Sequence, residues 1–174
     1  AVDQIRSRFP ALSIGVNRLQ TGRIESLLRN LEVGADSTWG DHCGITSSGP
    51  DHLALEIQAL LRANPTHRLF GGVAFKYQQR EPDAPLAARK AIDFGVIPTT
   101  SGAATGSAPS LDKIKGMAQA LPCKALAVAS GIDVGNAAAF VPFVRYFLVS
   151  TGISTGFFDF DAGRTRALAA IVQS

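Results

Sequence analysis

Two side chains capable of proton transfer follow apolar runs in this 174-residue chain. Lys76 comes directly after residues 70–75, and a lysine amine desolvated at a strand end can act as a base or form an imine. Asp41 precedes His42 after a second run, and strand alternation places the two on opposite faces. We expect Asp41 to face the pocket and to share proton transfer with Lys76. His52 and His67 are interpreted as surface residues.

A third group of residues could hydrogen-bond a polar ligand. Residues 99–107 are rich in hydroxyls and glycines and carry no charge, so they predict a ligand-lining loop or a lid, with a flexible surface loop as the alternative. The sequence lacks Gly-Lys-Ser/Thr and GxGxxG motifs, which argues against nucleotide binding by those routes, and we predict no cofactor. The predicted substrate-binding residues are Asn17, Thr99, Thr100, Ser101 and Thr105.

Two glycine-containing turns near the carboxyl end predict an anion site. Residues 130–133 and 150–154 follow the last two apolar runs, and small residues there let a ligand approach backbone N–H groups. Both glycines could instead simply make tight turns. The predicted phosphate-binding residues are Ser130, Gly131, Thr151, Gly152 and Ser154.

The elements that would position these residues alternate between strands and helices. Near-continuous apolar runs indicate strands buried on both faces, hence an α/β fold with a parallel sheet. Ser110 and Asp133 are predicted helix N-caps. Strands are predicted at 13–19, 35–42, 69–77, 94–101, 125–132 and 146–154, and helices at 1–9, 23–32, 51–63, 84–93, 111–121, 134–144 and 162–173.

Six βα units fit either a parallel (β/α) TIM-barrel type or an open doubly wound sheet. A full eight-unit barrel takes ~250 residues, so this chain is two units short of one. Without a linker-like segment, residues 1–174 are treated as a single domain.

Composition narrows the classes of function. With 46% hydrophobic and 18% charged residues, the chain is predicted to fold rather than to be disordered. Its net charge of +3 is scattered, which argues against nucleic-acid binding, and no apolar run is long enough for a membrane span. Cys43 and Cys123 show no metal-ligand spacing, so we expect no metal site and a cytoplasmic location.

Several of these motifs together resemble the BtpA/SgcQ-like family of TIM-barrel proteins. They are residues 14–19, the strand with Lys76, the loop with Thr105 and the turn at 130–132. The resemblance covers about the whole chain and implies a barrel whose first two βα units are missing here or supplied otherwise, for example by subunit exchange. Asp133 stands where such turns often carry threonine, so a phosphate there requires Asp133 to point away as an N-cap.

Two functions follow as hypotheses. The first is a phosphate-binding barrel enzyme with lyase or isomerase chemistry on a small phosphorylated molecule. The second is a non-catalytic binding or assembly factor of the BtpA type, since fold does not determine function. An enzyme should place Lys76 and Asp41 in one cavity, whereas an assembly factor should expose an apolar patch. Unfilled barrel positions would favour a homo-oligomer.

Overall fold

Six parallel strands lie side by side in chain order in the computed structural model, which describes residues 1–156 and 159–173. The sheet order is β1-β2-β5-β6-β7-β8, and β3 pairs with β4 in a separate antiparallel hairpin that the sequence did not predict. The strands are β1 Gly15–Asn17, β2 Ser37–Gly40, β3 Ile45–Thr46, β4 Gly49–Pro50, β5 Arg68–Gly72, β6 Val96–Thr100, β7 Ala127–Ala129 and β8 Tyr146–Leu148.

Helices connect successive strands of the sheet. Ser110 caps α5 by accepting a hydrogen bond from the Lys113 N–H, as predicted. The described helices are α1 Val2–Arg8, α2 Arg23–Glu32, α3 His52–Ala63, α4 Ala84–Asp93, α5 Leu111–Gln119, α6 Ala137–Phe140 and α7 Ala162–Val172, with a 3-10 turn at Thr151–Ile153. None of the helices in the described ranges is long and apolar enough to cross a membrane.

Alternate residues of each strand face opposite sides of the sheet. Leu69 and Val96 are register partners and pack into the buried cluster beneath the helices, together with Val128. The opposite face is concave, because the Phe70 ring of β5 meets the Tyr146 ring of β8 at 5.1 Å although two strands lie between them. The sheet is therefore curled into a half-barrel, which confirms the predicted fold class.

Three predicted elements end at least four residues earlier than expected. The strand predicted at 69–77 stops at Gly72, because Ala74 and Tyr77 adopt left-handed backbone angles of φ 47° and 62° that a strand cannot hold. Lys76 therefore lies in a loop. The strand predicted at 146–154 gives way to the 3-10 turn, and the helix predicted at 134–144 is confined to α6, ending just before Pro142.

Asp133 is not the N-cap of α6, whose cap position is Asn136. Its carboxylate instead accepts hydrogen bonds from the N–H groups of Gly135 and Asn136, in the turn that precedes the helix. The prediction of an N-cap was wrong by three residues, since the helix begins later than its sequence pattern indicates.

Candidate functional site

A cavity of about 440 Å³ opens at the carboxyl ends of the strands. All six strands of the sheet, or the loops that follow them, contribute to it, since parallel strands bring their following loops to one edge. Its volume lies in the range of small-molecule sites. The lining residues that matter below are Asn17, Asp41, Lys76, Thr105, Ser130, Gly131 and Thr151.

Lys76 is the one cation among the described residues that line this cavity. Its Nζ donates hydrogen bonds to Ser130 Oγ at 2.8 Å and to Thr105 Oγ1 at 3.0 Å. The left-handed residues Ala74 and Tyr77 turn the chain so that the half-buried lysine points across the strand ends. An amine, a hydroxyl from the loop after β6 and a hydroxyl from the turn after β7 thus meet at one point.

Asp41 lines the same cavity from the end of β2. Its backbone carbonyl accepts a hydrogen bond from Gln78 Nε2 at 2.6 Å, and Gln78 Oε1 in turn accepts from the Phe75 N–H at 3.0 Å. Gln78 therefore joins the loop of Asp41 to the loop of Lys76. Asp41 is exposed to solvent.

The predicted substrate-binding residues divide into two groups. Asn17 and Thr105 line the cavity, whereas Thr99, Thr100 and Ser101 are fully buried and lie outside it. The Thr100 hydroxyl donates to the Ala74 carbonyl at 3.2 Å, and Ser101 Oγ accepts from the Lys76 N–H at 2.9 Å. Thr100 and Ser101 hold the Lys76 loop in place, which is a positioning contribution and not a contact with the cavity.

The two glycine turns touch each other. A Cβ on Gly152 would lie 2.0 Å from the Ile132 carbonyl oxygen, so the turn after β8 packs directly on the turn after β7. Ser130 and Gly131 have left-handed φ values of 74° and 67°, which bend the chain sharply after β7.

Three of the predicted phosphate-binding residues, Ser130, Gly131 and Thr151, line the cavity. Gly152 and Ser154 are not among its lining residues, and Ser154 Oγ donates to the Ser150 carbonyl at 2.8 Å. The side-chain hydrogen bonds of Asp133 go to the N–H groups of the turn before α6.

Lys113 of α5 is a residue that sequence reasoning missed. Its Nζ donates to the Ala74 carbonyl at 2.6 Å and to the Ser101 carbonyl at 2.8 Å, and burial lowers the pKa of its ammonium. It ties together the loops after β5 and β6. Nothing in its local sequence distinguishes it from Lys115, because both carbonyl partners come from other elements.

His67 corrects another expectation, because it is buried and not a surface residue. Its ring lies 3.0 Å from the Ala35 carbonyl through Nδ1 and 2.9 Å from Thr38 Oγ1 through Nε2. Burial lowers the pKa of the imidazole. His52 is exposed at the start of α3, as predicted.

Comparison with known proteins identifies the class of fold to which the chain belongs. No protein-family model and no curated protein sequence matches the chain. Among solved structures, 3-hexulose-6-phosphate synthase from Salmonella typhimurium is similar with a TM-score of 0.69 and 18% identity, over 99% of this chain and 78% of that one. The chain has a TIM-barrel-type fold.

Two further enzymes show the same likeness. N-(5'-phosphoribosyl)anthranilate isomerase from Pyrococcus furiosus has a TM-score of 0.63 at 14% identity, covering 99% of this chain and 80% of its own. 3-Keto-L-gulonate-6-phosphate decarboxylase from Vibrio cholerae has a TM-score of 0.61 at 14% identity, covering 99% and 77%. At these identities the likeness establishes the fold alone, and the resemblance to the BtpA/SgcQ-like family stays a prediction.

Proposed function

We propose that this chain is an isomerase or lyase acting on a small phosphorylated metabolite bound at the carboxyl ends of its strands. The observation that carries the proposal is the meeting of the Lys76 amine with the Ser130 and Thr105 hydroxyls in one cavity that Asp41 also lines. The similar solved structures are enzymes named for phosphorylated compounds or their conversion, which supports the same class of ligand.

The phosphate would lie against the turns after β7 and β8. Ser130, Gly131 and Thr151 line this side of the cavity, and the close packing of Gly152 on Ile132 keeps the two turns together. Hydroxyls and closely approached backbone are suited to phosphate oxygens. Asp133 directs its carboxylate to the N–H groups of Gly135 and Asn136, so its charge is engaged within its own turn.

Lys76 and Asp41 would carry the proton transfers. An amine that donates hydrogen bonds to two hydroxyls is placed to donate equally to a substrate carbonyl oxygen, which polarises the carbonyl. A carboxylate in the same cavity can then accept a proton from the neighbouring carbon. This division of labour suits isomerisation of a phosphorylated aldose or ketose and equally suits a lyase that passes through an enediol.

The test combines ligand binding with proton exchange. Titration calorimetry with phosphorylated aldoses and ketoses measures affinity, and NMR in D₂O follows deuterium entering the carbon beside the carbonyl. Lys76→Ala and Asp41→Asn should lower the exchange rate by about 10²–10⁴-fold, the usual contribution of a general acid or base. Lys124→Ala, an exposed lysine in the loop before β7, is the matched control.

Binding supplies the decisive comparison. Gly152→Asp introduces a side chain and a charge where the two turns meet, so it should weaken binding of phosphate esters, as should Lys76→Ala. Unchanged binding in both variants would end the proposal. Stable folding of a variant is checked by circular dichroism before its affinity is interpreted.

A non-catalytic assembly factor is the competing function. The shared cavity of Lys76 and Asp41 favours the enzyme, because an assembly factor does not need a lysine and an aspartate that line one cavity. If the protein bound no phosphate ester and catalysed no proton exchange, the assembly factor would be the better-supported function.

A further inference from the structure

A smaller cavity of about 200 Å³ adjoins the main one at the ends of β1 and β2. Both cavities are lined by Asn17, Leu19, Trp39 and Asp41, so they share a wall at the ends of β1 and β2. We refer to the smaller cavity as the side arm. Its outer part is polar, with Arg18, Thr21, Arg23 and His42, whereas its floor is formed by Cys43, Ile57 and Leu69.

Arg18 gives the side arm an uncompensated positive charge. In the described part of the chain the ion pairs are those of Arg6, Arg23, Arg29 and Arg89, so Arg18 has no carboxylate within 4.0 Å. Arg23 is neutralised by Asp51. A half-buried guanidinium without an anionic partner, lining a cavity, is the arrangement expected of a group that receives its partner from a ligand.

The orientation of Arg18 is fixed from behind. Its Nε donates to Asn30 Oδ1 at 2.7 Å, and Asn30 is fully buried. Asn30 Nδ2 donates in turn to the Val16 carbonyl and to Thr38 Oγ1, both at 3.0 Å. Because this network anchors the Nε edge, the guanidinium loses little freedom when an anion binds it.

His42 adds a neutral donor to the same wall. The Gly44 N–H donates to His42 Nδ1 at 2.8 Å, which leaves the ring proton on Nε2 in the neutral imidazole. Burial, followed by the charge of Arg23, lowers the pKa of His42, so the neutral ring prevails at neutral pH. Asp41 is the one carboxylate among the lining residues described, and it belongs to the junction with the main cavity.

We propose that the side arm binds the carboxylate of the substrate through Arg18 and His42, so that the substrate is a phosphorylated carboxylic acid. A carboxylate matches the planar donor edge of a guanidinium. The inference rests on the proposed function, since it places the phosphate at the turns after β7 and β8 and the carboxylate in the adjoining side arm. The reacting carbons would then lie between them, where Asp41 and Lys76 line the main cavity.

The test uses three open-chain compounds that differ at one end. 6-Phosphogluconate carries a carboxylate where sorbitol 6-phosphate carries a hydroxymethyl group, and sorbitol 1,6-bisphosphate carries a second phosphate. Titration calorimetry on the full chain should show 6-phosphogluconate binding at least about tenfold more tightly than sorbitol 6-phosphate, given that a charge-assisted hydrogen bond contributes about 1.5–3 kcal/mol.

Arg18→Gln should abolish this preference and leave the affinity for sorbitol 6-phosphate within about twofold, a change of less than 0.5 kcal/mol. His42→Ala should reduce the preference and serves as a second variant if Arg18→Gln fails to fold. Arg29→Gln, on the exposed face of α2, is the matched control and should keep the wild-type preference.

The outcomes separate the two proposals. Equal binding of 6-phosphogluconate and sorbitol 6-phosphate by the wild type would overturn the carboxylate site and leave the proposed function standing. Tighter binding of sorbitol 1,6-bisphosphate than of 6-phosphogluconate would assign the side arm to phosphate and overturn the inference. Failure of all three compounds to bind would overturn the proposed function and the inference together.

Discussion

Replacing Gly152 by alanine tests the contact on which the proposed phosphate site depends. A Cβ at this position would lie 2.0 Å from the Ile132 carbonyl oxygen, 2.9 Å from its carbonyl carbon and 3.1 Å from the Asp133 Cα. All three are backbone atoms, so no side-chain rotation relieves the clash and one turn must move away from the other. The backbone of Gly152 is not left-handed, so the cost arises from the contact and not from backbone strain.

Overpacking of this kind costs about 1–3 kcal/mol, so Gly152→Ala should lower the free energy of unfolding by about 2 kcal/mol. In a domain of this size that corresponds to a fall in Tm of about 4–8 °C. The same displacement moves Thr151 away from Ser130, so the affinity for a phosphate ester should fall about tenfold, which is 1.4 kcal/mol.

Urea unfolding followed by circular dichroism measures the stability, and calorimetry measures the affinity. Gly156→Ala is the matched control in the same segment, because its Cβ would come no closer than 3.7 Å to another residue. That variant should stay within about 0.5 kcal/mol of the wild type. If Gly152→Ala were as stable as Gly156→Ala and bound phosphate esters normally, the two turns would not be packed as described and the site would lose its basis.

Three further predictions concern polar side chains that hold elements of the fold in place. Burial lowers the pKa of His67, so near pH 6.5 the unfolded chain binds a proton that the folded chain excludes. The free energy of unfolding should therefore fall as the pH drops below about 7, and it should fall less in His67→Gln. Urea unfolding at several pH values measures this, with His52→Gln as the control that should follow the wild type. Lys113→Met removes the donor to the Ala74 and Ser101 carbonyls and should lower the free energy of unfolding by about 1–3 kcal/mol in urea unfolding, whereas substitution of the exposed Lys115 by methionine should change it little. Asp51→Ala should lower Tm because α3 loses its N-cap, which contributes about 0.5–2 kcal/mol, whereas Asp51→Asn should retain most of this stabilisation. If both variants lost the same stability, the ion pair of Asp51 with Arg23 would be responsible instead.

The elements of the fold follow closely from local sequence pattern. Helices α2 and α4 have the predicted bounds, because amphipathic spacing and their flanking residues depend only on near neighbours. All six strands fall within or beside the predicted runs, since burial on both faces of a parallel sheet requires continuous apolar sequence. The hairpin of β3 and β4 escaped prediction because two-residue strands are too short to show a period.

The site was only partly accessible to such reasoning. The position of Lys76 directly after an apolar run predicted a reactive amine at a strand end, and the structure places Lys76 in a cavity that Asp41 also lines. The buried hydroxyls of Thr99, Thr100 and Ser101 look like ligand groups in the sequence, yet Thr100 and Ser101 form hydrogen bonds with the backbone of the Lys76 loop. The sequence around a serine or threonine does not indicate whether the hydrogen-bond partner of its hydroxyl is a substrate or a neighbouring loop.

Alternation of apolar and amphipathic segments thus determined the βα order and the edge of the sheet where loops gather, because both depend on residues a few positions apart. Tertiary structure alone decided which loops meet there: Lys76 and Ser130 are 54 residues apart, and Arg18 is fixed by an asparagine on the next helix. Such contacts depend on how strongly the sheet curls and on the left-handed turns that follow its strands. No short stretch of sequence specifies that curvature, since it arises from the packing of all six strands against their helices.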